Sequence, residues 1–210
     1  MLWIALAITI SYLIGSIPTA YIFAQVIKGI DLRNFGSGNV GATNALRLLG
    51  KGWGITVLFL DIMKGFLPVV ILGSIFGQRL NIPQEQNLLI LIGLSAICGH
   101  NWTVFLKFKG GKGVATTLGV LVALAFKIPG LNVVLGLTAL VWFTCFIITR
   151  IISLSSVLAA ISFPLFTLIF RQPASVALSG ILLSIFIVLR HKSNIKRLLK
   201  GEEPRLNLKK

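Results

Sequence analysis

The chain has 210 residues, 56% of them hydrophobic and only 12% charged. Soluble domains carry about 25% charged residues, so the composition excludes a water-facing globular surface and makes lipid the outer solvent. A net charge of +15, from twenty Lys/Arg against five Asp/Glu, raises nucleic acid as a partner. The cations flank long apolar runs, however, and that placement points to anionic membrane lipid or a phosphorylated substrate instead, with no nucleic acid.

A membrane-spanning helix takes about 20 mainly apolar residues. In chain order, the runs 2–27, 53–77, 87–106, 131–149, 153–170 and 174–189 qualify. No Lys or Arg precedes Lys28, so the first run lacks the positive start of a secretory signal and predicts a retained first helix. A further run, 114–126, covers only about 20 Å at about 1.5 Å per residue, against a hydrocarbon core about 30 Å thick. Extension by Gly111–Gly113 and local bilayer thinning would let it cross.

Loop charge decides that crossing, because short Lys/Arg-rich loops stay in the cytoplasm. Segment 28–52 holds Lys28, Arg33, Arg47 and Lys51, and segment 107–113 holds Lys107, Lys109 and Lys112. The tail holds Arg190, Lys192, Lys196, Arg197, Lys200, Arg205, Lys209 and Lys210. Loops 78–86, 127–130, 150–152 and 171–173 carry single cations, Arg79, Lys127, Arg150 and Arg171. If 114–126 crosses, the three basic segments and Arg150 share one side; otherwise the tail faces the opposite way. The expected fold is an all-α integral membrane protein, one domain over 1–210, with seven transmembrane helices, the N-terminus outside and the C-terminus cytoplasmic. Cys98 and Cys145 lie inside apolar runs without metal-ligand spacing and read as inert thiols.

Three segments carry candidate chemistry. In Gly36-Ser-Gly-Asn-Val-Gly-Ala-Thr-Asn44, glycines permit positive φ and close approach of the backbone to a ligand. Successive N–H groups can form an anion nest, with Ser37, Gly38, Asn39, Thr43 and Asn44 alongside and Arg47 able to grip phosphate in a fork. The segment is neither a Walker loop nor a dinucleotide fingerprint; the competing reading is an ordinary capped turn. In Lys107-Phe-Lys-Gly-Gly-Lys-Gly-Val-Ala-Thr116, Gly110 and Gly111 free the backbone between Lys109 and Lys112, just before a helix N-terminus that attracts anions. A positive-inside anchor would need these lysines but not the glycines. In Arg190-His-Lys-Ser-Asn-Ile-Lys-Arg197, His191 and Asn194 are three apart and neighbours on one helix face. His191 can donate to an anion or move a proton, and Asn194 can orient a hydroxyl; a polybasic lipid anchor competes. Asp61 and Lys64, within the second run, have the spacing of a self-neutralising pair. His100 and Asn101 end the third run, either lining a site or capping a helix.

Together these segments resemble the PlsY-type acyl-phosphate:glycerol-3-phosphate acyltransferases. The matches are GSGNVGATN at 36–44, KGGKGVAT at 109–116 and HKSNIKRLLKGEE at 191–203, with DIMKG at 61–65 and Gly99-His100. They cover nearly the whole chain in order and spacing. Each motif alone is weak; three together are specific. The resemblance implies a bacterial inner-membrane enzyme with seven helices and cytoplasmic active-site motifs. It would move a fatty acyl group from acyl phosphate, not acyl-CoA or acyl carrier protein, to the 1-hydroxyl of sn-glycerol 3-phosphate. The products would be lysophosphatidic acid and inorganic phosphate, at the start of phospholipid synthesis.

Such a reaction needs two phosphate sites, an acyl groove and an oriented hydroxyl. The donor is a mixed anhydride with a good leaving group, so positioning and electrostatics can carry much of the barrier. A base dyad of His with Asp five positions later is absent, because Phe105 follows His100 and Lys196 follows His191 at that spacing. No Ser-His-Asp arrangement is readable either, so direct attack without an acyl-enzyme is expected; no metal and no cofactor are expected. Arg47, Lys109 or Lys112, and Lys196 would hold phosphate, and Ser37, His191 and Asn194 would orient the reacting groups. The rival class, an anion or phosphate-ester transporter, would continue its polar residues across the membrane or show inverted repeats; neither is visible.

Overall fold

The computed structural model describes residues 2–80 and 85–206. Regular structure among these residues is helical throughout. Packing divides the chain into two compact units, Met1–Leu124 and Ala125–Lys210.

The first unit contains α1 (Leu2–Ser16), α2 (Thr19–Lys28), α3 (Ala42–Leu49), α4 (Lys51–Leu80), α5 (Glu85–Asn101) and α6 (Val114–Ala125), the last ending at the boundary. The continuous helix expected over 2–27 is corrected to two. Pro18, at φ −87° and ψ 70°, centres a tight turn in which the Thr19 N–H donates to the Ile17 carbonyl at 3.0 Å. Proline has no N–H to continue the ladder, and this geometry is that of an inverse γ-turn.

Contacts down the bundle set its topology. Trp3 meets Phe76, Lys64 meets the Ile17 carbonyl, Thr19 meets Asp61, and Phe23 meets Trp53, so α1 and α2 run antiparallel to α4. Gly73 abuts Leu89 and Gly77 abuts Glu85, so α4 and α5 form an antiparallel hairpin. Consequently α1 and α5 are parallel, and segments 28–52 and 107–113 leave this unit at the same end. That agrees with the shared side expected from their charges.

Close approach is built from small residues. A Cβ on Gly15 would overlap the Ala96 carbonyl, and one on Gly99 would overlap that of Tyr12. The Ser11 hydroxyl donates to the Ile92 carbonyl and the Ser95 hydroxyl to that of Ile8, each at 2.7 Å. Small faces and hydroxyl bonds are how helices associate where lipid removes the hydrophobic drive.

The second unit contains α7 (Leu131–Thr149), α8 (Ile152–Ile169), α9 (Ala174–Arg190) and α10 (Lys192–Leu199). Arg150 and Arg171 take positive φ, 59° and 48°, in the reversals between α7, α8 and α9. The tail folds back: the Leu206 N–H donates to the Arg150 carbonyl at 2.8 Å. Arg150 and the start of the tail thus share one end of this unit.

Among the described residues, five helical runs suffice by length and composition to cross a membrane: Leu2–Lys28, Lys51–Gly77, Glu85–Leu106, Leu131–Thr149 and Ile152–Ile169. The α9–α10 pair, bent by 62°, brings the number to six, and Val114–Ala125 is shorter. The expected loop 78–86 is largely replaced by helix, since α4 continues to Leu80 and α5 starts at Glu85. Residues 81–84, and the tail cations Lys209 and Lys210, lie outside the described residues.

Candidate active site

The first loop rests on a small core. Ala20 and Ala24 of α2, Leu32, Ala45 and Leu48 of α3, and Val57 of α4 are buried together. Asp31 caps a short 3-10 turn over Leu32–Asn34 and pairs with Arg33 at 2.6 Å. The Arg33 side-chain hydrogen bond holds the Asp31 carboxyl below its ordinary range. Gly36 and Gly38 then take φ of 57° and 68°, where a Cβ is penalised.

Asn44 is the brace of this loop. Buried at the start of α3, its Nδ2 donates to the carbonyls of Leu32 at 3.2 Å and Phe35 at 2.9 Å. Its Oδ1 accepts from the Ser37 N–H at 3.2 Å. Both amide hydrogens are therefore engaged by loop carbonyls, and Asn44 holds the loop from its inner side. Ser37 and Arg47 are exposed, while Gly38, Asn39 and Thr43 are half-buried beside them.

The second loop sits on the end of α5. Thr103 anchors it, donating to the Ser16 carbonyl and accepting from the Phe105 N–H. Lys107 and Phe108 take positive φ, 53° and 61°. The Gly110 N–H donates to the Asn101 carbonyl at 3.2 Å and the Gly111 N–H to the His100 carbonyl at 3.0 Å. Both N–H groups thus tie the turn to the end of α5. Their smallness has a different use: a Cβ on Gly110 would overlap the His100 carbonyl oxygen, and one on Gly111 the His100 ring. Lys109 is exposed and Lys112 half-buried.

Beneath this loop lies an ionisable cluster. Lys64 Nζ is 2.8 Å from Asp61 Oδ1 and donates to the Ile17 carbonyl at 2.9 Å. The Thr19 hydroxyl donates to the same Asp61 oxygen at 2.6 Å, and His100 Nδ1 is 3.8 Å from it. The expected Asp61–Lys64 pair is present, almost wholly buried. What sequence reasoning missed is that it binds the carbonyl at the α1–α2 break and reaches His100. Pro18 inside an apolar run was the available signal.

In the second unit, His191 is the hinge between α9 and α10 rather than a member of one continuous helix face. Its buried Nδ1 lies 2.7 Å from the Ile187 carbonyl. A carbonyl only accepts, so Nδ1 carries the hydrogen and Nε2 is the acceptor nitrogen of the neutral ring. Asn194 is buried and donates to Glu203 Oε1 at 2.6 Å, where the Ser153 hydroxyl also donates at 2.7 Å. Arg197 Nε donates to Glu203 Oε2 at 2.7 Å. Burial resists ionisation of Glu203, but these hydrogen bonds and the Arg197 charge outweigh it and hold the carboxyl below its ordinary value. Glu203 was not among the expected site residues; one of five acids in the chain, set in a basic tail, was the clue. Lys196 is exposed. Among the described residues, no three His, Cys, Asp or Glu side chains gather as a metal set would.

Helices paired through small residues, glycine-shaped basic loops and a buried ion cluster define an all-α integral membrane protein. Residues 5–201 match the family described as glycerol-3-phosphate acyltransferase. The chain is 43% identical to a glycerol-3-phosphate acyltransferase of Desulforudis audaxviator, covering 99% of this chain and 98% of the relative. It is also 43% identical to one from Aquifex aeolicus, covering 93% and 95%. Among solved structures, PlsY, an integral membrane glycerol 3-phosphate acyltransferase in its glycerol 3-phosphate form, aligns with TM-score 0.84 and 42% identity over 97% of this chain and 96% of that one. Its lysophosphatidic acid form aligns with TM-score 0.81 and 40% identity over 97% and 95%. The chain belongs to the PlsY-type glycerol-3-phosphate acyltransferase family.

Proposed function

We propose that residues 1–210 act as one membrane-embedded acyltransferase domain that moves a fatty acyl group from acyl phosphate to the 1-hydroxyl of sn-glycerol 3-phosphate. The observation that carries this reading is the 42% identity, over 97% of the chain, to a relative solved in its glycerol 3-phosphate form. Exposed Ser37 and Arg47 beside a braced loop fit it. The hydroxyl oxygen attacks the acyl carbonyl carbon, an ester bond forms, and the bond to phosphate breaks. Inorganic phosphate leaves, and the hydroxyl proton passes to a phosphate oxygen. Lysophosphatidic acid is the other product.

In this scheme Arg47, Lys109 or Lys112, and Lys196 hold phosphate charge, with Gly38, Asn39 and Thr43 at the first loop. Asn44, Gly110 and Gly111 shape the loops that present them. Ser37, Asn194 and the Nε2 side of His191 orient the hydroxyl or the acyl phosphate. No metal or cofactor takes part. The enzyme spans the bacterial inner membrane seven times, Val114–Ala125 included, with its N-terminus outside and its basic loops and C-terminus in the cytoplasm.

The test supplies purified protein with labelled glycerol 3-phosphate and a long-chain acyl phosphate, then extracts lipid. Labelled lysophosphatidic acid is expected. Uptake of glycerol 3-phosphate into liposomes without that product would favour the transporter.

A further inference from the structure

We propose that the buried Asp61–Lys64 pair, acting through His100, is the positioning device of the glycine turn that presents Lys109 and Lys112. This rests on the acyltransferase reading for its kinetic consequence, but not for its structural one.

The route is continuous. Asp61 and Lys64 are 1% and 7% exposed and sit on one turn of α4. Removing two charges from water costs several kcal/mol per ion, so a pair this deep persists only where further hydrogen bonds satisfy it. Those bonds go to the α1–α2 break: Lys64 to the Ile17 carbonyl and Thr19 to Asp61. The next residue after Thr19, Ala20, lies in the core under the first loop. On its other side Asp61 faces the His100 ring at 3.8 Å. That ring occupies the space a Gly111 side chain would need, and the His100 carbonyl takes the Gly111 N–H. The imidazole is therefore the floor of the turn, and the ion pair is what the floor stands beside. The pair thus meets the same ring that a Cβ at position 111 would strike.

The consequence is energetic coupling. Gly111→Ala should be harmful chiefly because its Cβ meets the His100 ring. Shrinking that ring in His100→Ala/Gly111→Ala should return part of the loss. Residues in contact show such non-additivity; independent ones do not. Replacing both charges together, Asp61→Asn/Lys64→Met, avoids a stranded buried charge and should loosen the turn.

The experiment takes the full chain in detergent: wild type, Asp61→Asn/Lys64→Met, His100→Ala, Gly111→Ala and the His100→Ala/Gly111→Ala double variant. Hydrogen exchange over 107–113 reads the turn without substrate, with 131–149 as the internal reference. The ion-pair variant should exchange about tenfold faster in 107–113 and unchanged in 131–149. Its KM for glycerol 3-phosphate should rise about tenfold with kcat within about threefold, the signature of lost binding rather than lost chemistry. Exchange that rises equally in both segments, or not at all in 107–113, overturns the proposal. If the ion-pair variant fails to fold, the cycle decides: additive effects of His100→Ala and Gly111→Ala on exchange overturn it. Wild type without acyltransfer would refute the function reading while the exchange result still decides this one.

Discussion

At the scale of single residues, the loops are held by side chains that the protein itself uses up. Asn44→Ala removes three hydrogen bonds and leaves two carbonyls and an N–H without it. Unsatisfied buried groups cost about 1–3 kcal/mol each when water cannot replace the partner. A stability loss of about 2 kcal/mol is expected, measured by thermal unfolding in detergent, together with a raised KM for glycerol 3-phosphate. Arg47 is exposed and makes the opposite case: Arg47→Ala should leave stability unchanged and raise that KM about tenfold or more, the worth of a charged hydrogen bond. An unchanged KM would remove Arg47 from the phosphate. His191→Ala should lower kcat about a hundredfold, as misplacing the reacting groups does; near-normal turnover would end its assignment to orienting them. Residue types and spacing made Ser37, Arg47, His191 and Asn194 legible as candidates. They could not show which polar groups face inward, because Asn44 and Thr43 look equivalent until the chain turns at Gly36 and Gly38.

At the scale of elements, the candidate site residues lie in loops and at helix ends, and glycines carry the packing between helices. Gly65 of α4 and Gly119 of α6 face each other's helices so closely that a Cβ on either would overlap a carbonyl, of Thr116 and Ile62 respectively. Gly119→Val should prevent α6 from docking, seen as loss of monodisperse protein on size exclusion. Glu203 ties α10 to α8 through Asn194, Arg197 and Ser153. Its carboxyl is held below the ordinary value in the folded state. Its stabilising effect is therefore complete above the unfolded carboxylate pKa of about 4.3 and is lost as pH falls through the folded value. Protection of 197–206 from exchange should drop on acidification in wild type, and Glu203→Gln should be weakened at neutral pH and lose that acid step. Apolar run lengths foretold α7, α8 and α9 to within a residue or two. The break at Pro18 and the hinge at His191 were hidden because hydropathy sums over residues and ignores a missing N–H or a satisfied carbonyl.

At the scale of the whole molecule, charge placement foretold a shared end for segments 28–52 and 107–113, and the α1–α4–α5 packing agrees. Whether the tail faces the same compartment depends on Val114–Ala125 crossing with only 12 residues, about 18 Å of helix. With Cys98 and Cys145 replaced, single cysteines at exposed Asn34 and Lys200 should both react from the cytoplasmic side only. Labelling from opposite sides would mean α6 does not cross. The chemistry itself is tested most directly by phosphate release from acyl phosphate by purified protein, with and without glycerol 3-phosphate. Release only when glycerol 3-phosphate is present, one phosphate per lysophosphatidic acid and no acylated protein, is the expected result. Phosphate released without the acceptor, with acyl groups left on the protein, would contradict direct transfer.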